Sequence, residues 1–112
     1  MILTERRNSP GSVLTRNEAM RMSKPVLEVD LAPFIEAYRS GALGTHGGPS
    51  ILLAALPIVD WISEHEIAVL NVAGNREFHA DCLITHMTEW FIDLALANLN
   101  LDGLLVQDSD IF

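Results

Sequence analysis

Cys82 is the single cysteine of the 112-residue chain. No internal disulfide can form, and such usage suits a reducing cytoplasm, which is the location expected for this acidic protein. Basic residues are scarce as well: seven Lys and Arg face fifteen Asp and Glu, for a formal charge of −8. That balance argues against nucleic acid, because phosphate binding needs a basic surface that releases counterions. It argues against anionic membrane surfaces for the same reason. Long apolar runs are missing too. The longest, Ile51 to Val59, contains Pro57 and is too short to span a bilayer. Met1 leads directly into Thr4-Glu5-Arg6-Arg7, so no signal peptide is expected. No nucleophile elbow, P-loop or GxGxxG run is visible, and hence no catalytic set.

What is there is a good core. The chain is 49% apolar and 20% charged, and its length suits one α/β domain spanning 1–112. Residues 1–10 read as a flexible start or a short strand followed by turn chemistry in Asn8-Ser9-Pro10-Gly11-Ser12. A helix follows over 13–23, with Ser12 as a candidate cap and Lys24-Pro25 as its stop. "PVLEVDL" (25–31) reads as a strand. "PFIEAYRS" (33–40) reads as a helix with Pro33 at its first position. Residues 40–50, "SGALGTHGGPS", form a glycine-rich loop carrying His46, a hinge or simply a linker. Residues 49–66 are helical in composition, with Pro57 expected to kink or split them. A strand covers 67–73. The clearest helix spans 78–99, and 100–112 is a tail of apolar residues between aspartates that can dock on a neighbour.

Strands alternating with helices imply a parallel sheet with right-handed crossovers. Two or three strands make a thin sheet, however. The expectation is therefore a small three-layer half-domain with a short parallel sheet completed by oligomerisation. Leu52, Leu53 and Leu56 are expected at the interface between copies.

The stretch "IAVLNVAGNRE" (67–77) frames the functional question. A β-branched run ends in Ala73-Gly74 and turns at once into Asn75-Arg76-Glu77. Open α/β sheets bind ligands beyond the C-terminal ends of their strands. There Asn71 can bond a ribose, Arg76 a phosphate or carboxylate, and Glu77 a hydroxyl, with Gly74 admitting close backbone approach. Alternatively Gly74 only supplies a turn and Glu77 caps the next helix. Pro10-Gly11-Ser12 opens a helix whose N-terminus can hold an anion, with Arg16 one turn on as a clamp; the alternative is an ordinary capped start. His79, Cys82 and His86 stand at i, i+3 and i+7, one face of a helix, and could seed a metal site; neither CxxC nor HExxH accompanies them.

Three segments together, "GSVLTRNEAMRMSKPVLEVDL" (11–31), "WISEHEIAVLNVAGNRE" (61–77) and the helix that follows, resemble the C-terminal half of the molybdenum carrier family. That family is Rossmann-like and related to the lysine-decarboxylase-like LOG proteins and the SLOG nucleotide-sensing domains. The combination of "KPVLEVDL" with "VLNVAG-x-RE" carries the resemblance over roughly half the chain. Asn75 stands where the pattern has proline, and "SGALGTHGGPSILLAALPI" looks like an insertion. The resemblance implies a Rossmann-like fold and a nucleotide-like or other anionic ligand at Gly11, Ser12, Arg16, Asn71, Gly74, Asn75, Arg76 and Glu77. It names no cofactor. The reading is a non-catalytic binding protein working as a homo-oligomer. The alternative is a small acidic interaction or inhibitor protein acting on a protein partner through its apolar helix and acidic tail. A LOG-type hydrolase or transferase would rest on fold analogy alone.

Overall fold

A computed structural model describes residues 1–46, 48–75 and 77–99, together with the backbone of 105–108. Its elements are β1 (Ile2–Thr4), α1 (Pro10–Arg21), β2 (Glu28–Asp30), α2 (Ala32–Ser40), α3 (Ile51–Glu64), β3 (Val69–Gly74), α4 (Leu83–Ala97) and β4 (Leu105–Asp108). The four strands form one sheet in the order β2-β1-β3-β4, and every pairing is parallel. This is a small α/β, Rossmann-like domain. Neighbouring β1 and β3 lead into α1 and α4, which pack on opposite faces of the sheet. The C-terminal ends of β1 and β3 are thus the topological switch point.

The core lies on one face. Leu3 from β1 and Leu70 and Val72 from β3 pack with Ile35 of α2, Ile58 and Ile62 of α3, and Met87 and Phe91 of α4. Strand alternation sends Ile2, Thr4, Val69, Asn71 and Ala73 to the other face, where α1 packs on β1 and β3. The helix α1 contributes no side chain to the main core cluster.

Several expectations are corrected. The cap of α1 is Ser9, not Ser12: Ser9 Oγ accepts from Ser12 N at 3.4 Å and Pro10 takes the first turn, where its missing N–H costs nothing. Ser23, at φ 53°, then ends the turn after α1, two residues before Pro25. Pro33 stands one place later than expected, after Ala32, whose N–H is accepted by Asp30 Oδ1 at 3.0 Å. Pro57 does not split α3, which runs unbroken over Ile51–Glu64. Pro57 and Leu53 are both exposed, so the Leu53 carbonyl left without a donor can turn to water. The helix expected from 78 begins only at Leu83, because Cys82 adopts a left-handed conformation at φ 55°. The tail does not leave the sheet at two or three strands. Leu105–Asp108 pairs with Val69–Val72 of the same chain as β4. The other tail residues, 100–104 and 109–112, lie outside the described residues.

Candidate functional site

The C-terminal edge at the switch point is built around one side chain. Asn75, directly after β3, is 4% exposed. Its Oδ1 accepts from the backbone N–H of Glu5 (2.8 Å) and Arg6 (2.6 Å). Its Nδ2 donates to Arg6 O (2.9 Å), Ser9 Oγ (2.8 Å) and Ser12 Oγ (3.2 Å). Ser9 Oγ also donates to Ser12 Oγ at 2.8 Å. One amide thus brackets the β1–α1 loop, the start of α1 and the end of β3. The Glu5 and Arg6 amides, which a bound anion could use at this point, are occupied by the protein itself.

The sequence-derived candidates divide accordingly. Ser12 and Asn75 come together, but buried and satisfied. Gly74 closes β3 in extended conformation, buried and in register with Leu3. Gly11 is exposed on the first turn of α1, with open space where a Cβ would be. Arg16 is engaged within the protein itself. Its Nε donates to Glu28 Oε1 at 2.7 Å and its guanidinium also donates to Arg7 O at 3.1 Å. Asn71 sits on β3 three residues before Gly74, roughly 10 Å back from the edge at strand rise. Arg76 lies outside the described residues.

Glu77 caps α4. Its Oε2 accepts from Thr85 N (2.8 Å) and Thr85 Oγ1 (3.0 Å), and its Oε1 accepts from His79 N (3.1 Å). A carboxylate at a helix N-terminus meets free N–H groups and the positive end of the dipole. This also undoes the spacing of the candidate metal set. His79 precedes α4, Cys82 is its left-handed cap and only His86 is within it, so the three share no helical face. Among the described residues no group of three or more potential ligands gathers.

Several rim residues were not picked out in sequence. Arg6 lies over the Phe78 ring, 4.2 Å from its centroid, and has no acidic partner among the described residues. His79 Nε2 meets Glu5 Oε2 at 2.6 Å, while Nδ1 meets Arg39 at 2.9 Å. A guanidinium can only donate, so Nδ1 accepts and the proton of the neutral ring sits on Nε2, directed at Glu5. The Arg39 guanidinium also reaches Asp81 at 3.2 Å. The signal for Arg6 was its place two residues after an apolar strand and just before a helix; the partners of His79 are 40 and 74 positions away, with no sequence signal.

The Arg16–Glu28 pair ties α1 to β2 and is testable by acid. The hydrogen bond from Arg16 holds the Glu28 carboxyl below its ordinary value of 4.5; burial opposes this, and Arg7 adds to it. A depressed folded-state pKa contributes stability above the unfolded value, and that contribution is lost as pH falls through the folded value. Glu28→Gln is therefore expected to cost about 1 kcal/mol at neutral pH. The gap from the parent should close as pH drops below 4.5. Urea unfolding at stepped pH reads it, and a gap independent of pH would assign the loss to packing.

A model of the circularly permutated YpsA SLOG family matches residues 1–96. Comparison with curated proteins and with solved structures gives no match.

Proposed function

Since the chain belongs to the circularly permutated YpsA SLOG family, we propose that it is a non-catalytic binding protein for a nucleotide-like or other anionic small molecule, held at the C-terminal edge of the sheet. The supporting observation is the Asn75 bracket. It fixes the exposed N-terminal turn of α1, with Gly11, beside a rim that carries Arg6 over Phe78. A helix N-terminus favours anions, and the Arg6 guanidinium, held over Phe78, places a positive charge on the same rim. In this reading Ser12, Asn75 and Glu77 position the rim rather than touch the ligand. Gly11, Arg6 and Arg76 are the contacting residues. A cytoplasmic location belongs to this proposal and is supported by the single cysteine.

The test is a thermal-shift screen of nucleotides and phosphorylated metabolites, followed by titration of any ligand that shifts the parent. Arg6→Ala and Arg76→Ala are each expected to weaken binding by about 1.5–3 kcal/mol, the range for a hydrogen bond to a charged group. Unfolding midpoints should barely move. A ligand that binds the parent and both variants alike would remove the rim from the site.

A second reading, action through a protein surface, is favoured by one feature. Leu52, Leu53 and Leu56 are 48%, 67% and 41% exposed on α3. Residues 51–59 carry no charge in a chain of net −8, so a second copy can approach here without like-charge repulsion. Homo-oligomerisation through this ridge is compatible with ligand binding at the edge. A screen without any shift would favour the surface as the working part.

A further inference from the structure

Among the described residues the sheet face under α1 is only partly covered. Three helices build the core on the opposite face, whereas α1 is the described helix that packs over β1 and β3 here. Beside it lies a cavity of about 660 Å³ walled by Leu14 of α1, Met22 just past its end, Trp61 of α3 and Val69 of β3. Leu14, Met22 and Val69 remain 69%, 53% and 44% exposed. Val69 and Asn71 stand five and three residues before Gly74 on β3, so the cavity lies toward the opposite end of the strands from the rim.

Its charges are specific. Glu18 is on the lining, but Arg21 forms a two-pronged ion pair with it and holds its carboxyl below the ordinary range. Lys24, also on the lining, has no acidic partner among the described residues. Among the described residues this wall thus presents the Lys24 ammonium, together with the Met1 N-terminus, whose pKa burial lowers to about 6. Asn71 adds an exposed side-chain amide with no partner among the described residues, while its backbone oxygen accepts from Met1 N at 2.8 Å. Ligand cavities of this order are mostly apolar, with a few polar groups that fix orientation.

We propose that this groove is a second binding site, for a small amphipathic carboxylate: a hydrocarbon body ending in one carboxylate, such as a medium-chain fatty acid. The Lys24 ammonium pairs with the carboxylate and the Asn71 amide donates to its second oxygen. The hydrocarbon covers Leu14, Met22, Trp61 and Val69, removing exposed apolar surface from water. The site is independent of the rim and of whatever binds there.

Calorimetric titration of the full chain with octanoate and decanoate tests this. One saturable site is expected, with affinity rising about threefold to fourfold for each added methylene. Lys24→Gln should weaken decanoate about tenfold and leave 1-decanol unchanged. Leu14→Glu should abolish decanoate binding while the unfolding midpoint holds, because Leu14 is an exposed helix position. Arg6→Ala should leave decanoate binding unaltered. Absence of saturable binding would overturn the proposal. So would binding indifferent to Lys24→Gln and Leu14→Glu. Loss of decanoate binding in Arg6→Ala would place the carboxylate at the rim and overturn it too.

Discussion

Asn75→Ala is expected to cost about 3 kcal/mol of folding stability, a large share of what a small domain has. The substitution strands the Glu5 and Arg6 N–H groups and removes the donor shared by Arg6 O, Ser9 Oγ and Ser12 Oγ. An orphaned donor in a part-buried site costs more than the net worth of one hydrogen bond, so the loss exceeds that of an exposed amide. Asn75→Asp should recover part of it. A carboxylate still accepts from both N–H groups, and the serine hydroxyls can rotate to donate, but the Arg6 carbonyl then faces a negative charge. Urea unfolding gives the order parent, Asp, Ala. Hydrogen exchange supplies a second readout: the Glu5 and Arg6 amides should lose protection in Asn75→Ala before the core does. A variant with the parent midpoint and unchanged exchange would mean that Asn75 is a bystander to the loop.

Phe91→Ala should cost more, about 4 kcal/mol. Phe91 is fully buried in α4, and its ring meets Phe34 edge-to-face with centroids 5.0 Å apart. Truncation removes the transfer energy of the ring and leaves a cavity among Met87, Ile58 and their neighbours that the sheet cannot collapse to fill. The edge-to-face contact adds about 0.5–1.5 kcal/mol beyond area. Phe34→Leu, at a partly buried position, should cost less. A double-mutant cycle isolates the ring–ring share. Additive losses would show that Phe91 acts by volume alone. Ligand binding at the rim should survive at temperatures where this variant stays folded, since Phe91 belongs to the core cluster and none of the bonds that hold the rim involves it.

Much of the architecture was legible because it depends on short-range pattern. Val69 to Val72 read as a strand from their β-branched run. The stretch from Leu83 to Ala95 read as a helix because its buried residues recur at helical spacing. Ser50 and Gly41 act locally, one accepting from Leu53 N and the other adopting φ 77° after α2, and they bound the flanking helices at Ser40 and Ile51, where sequence pattern places the loop at 40–50 and a helix from 49. The parallel α/β arrangement followed from the alternation of elements, and the resemblance to SLOG-related proteins agreed with it. What the rim does was less legible. Glu77 was weighed as a ligand residue and as a cap, and its partner Thr85 lies eight residues on, across a loop that sequence pattern read as helix.

The sequence by itself determined the alternation of strands and helices from α1 to α4, the acidic charge balance, and the run of apolar positions that becomes the core. Periodicity, propensity and charge are properties of neighbours along the chain, so they survive without a fold. Only the tertiary structure decided that Leu105–Asp108 joins β3 as a fourth strand, since strand pairing is a long-range choice that the residues between 98 and 105 do not encode locally. It alone turned Arg16 to Glu28 and moved Asn71 from the expected rim to the groove wall. It alone placed the amide of Asn75 within reach of Arg6, 69 positions earlier. A buried polar side chain goes where its hydrogen bonds can be satisfied, and those partners exist only once distant strands lie side by side.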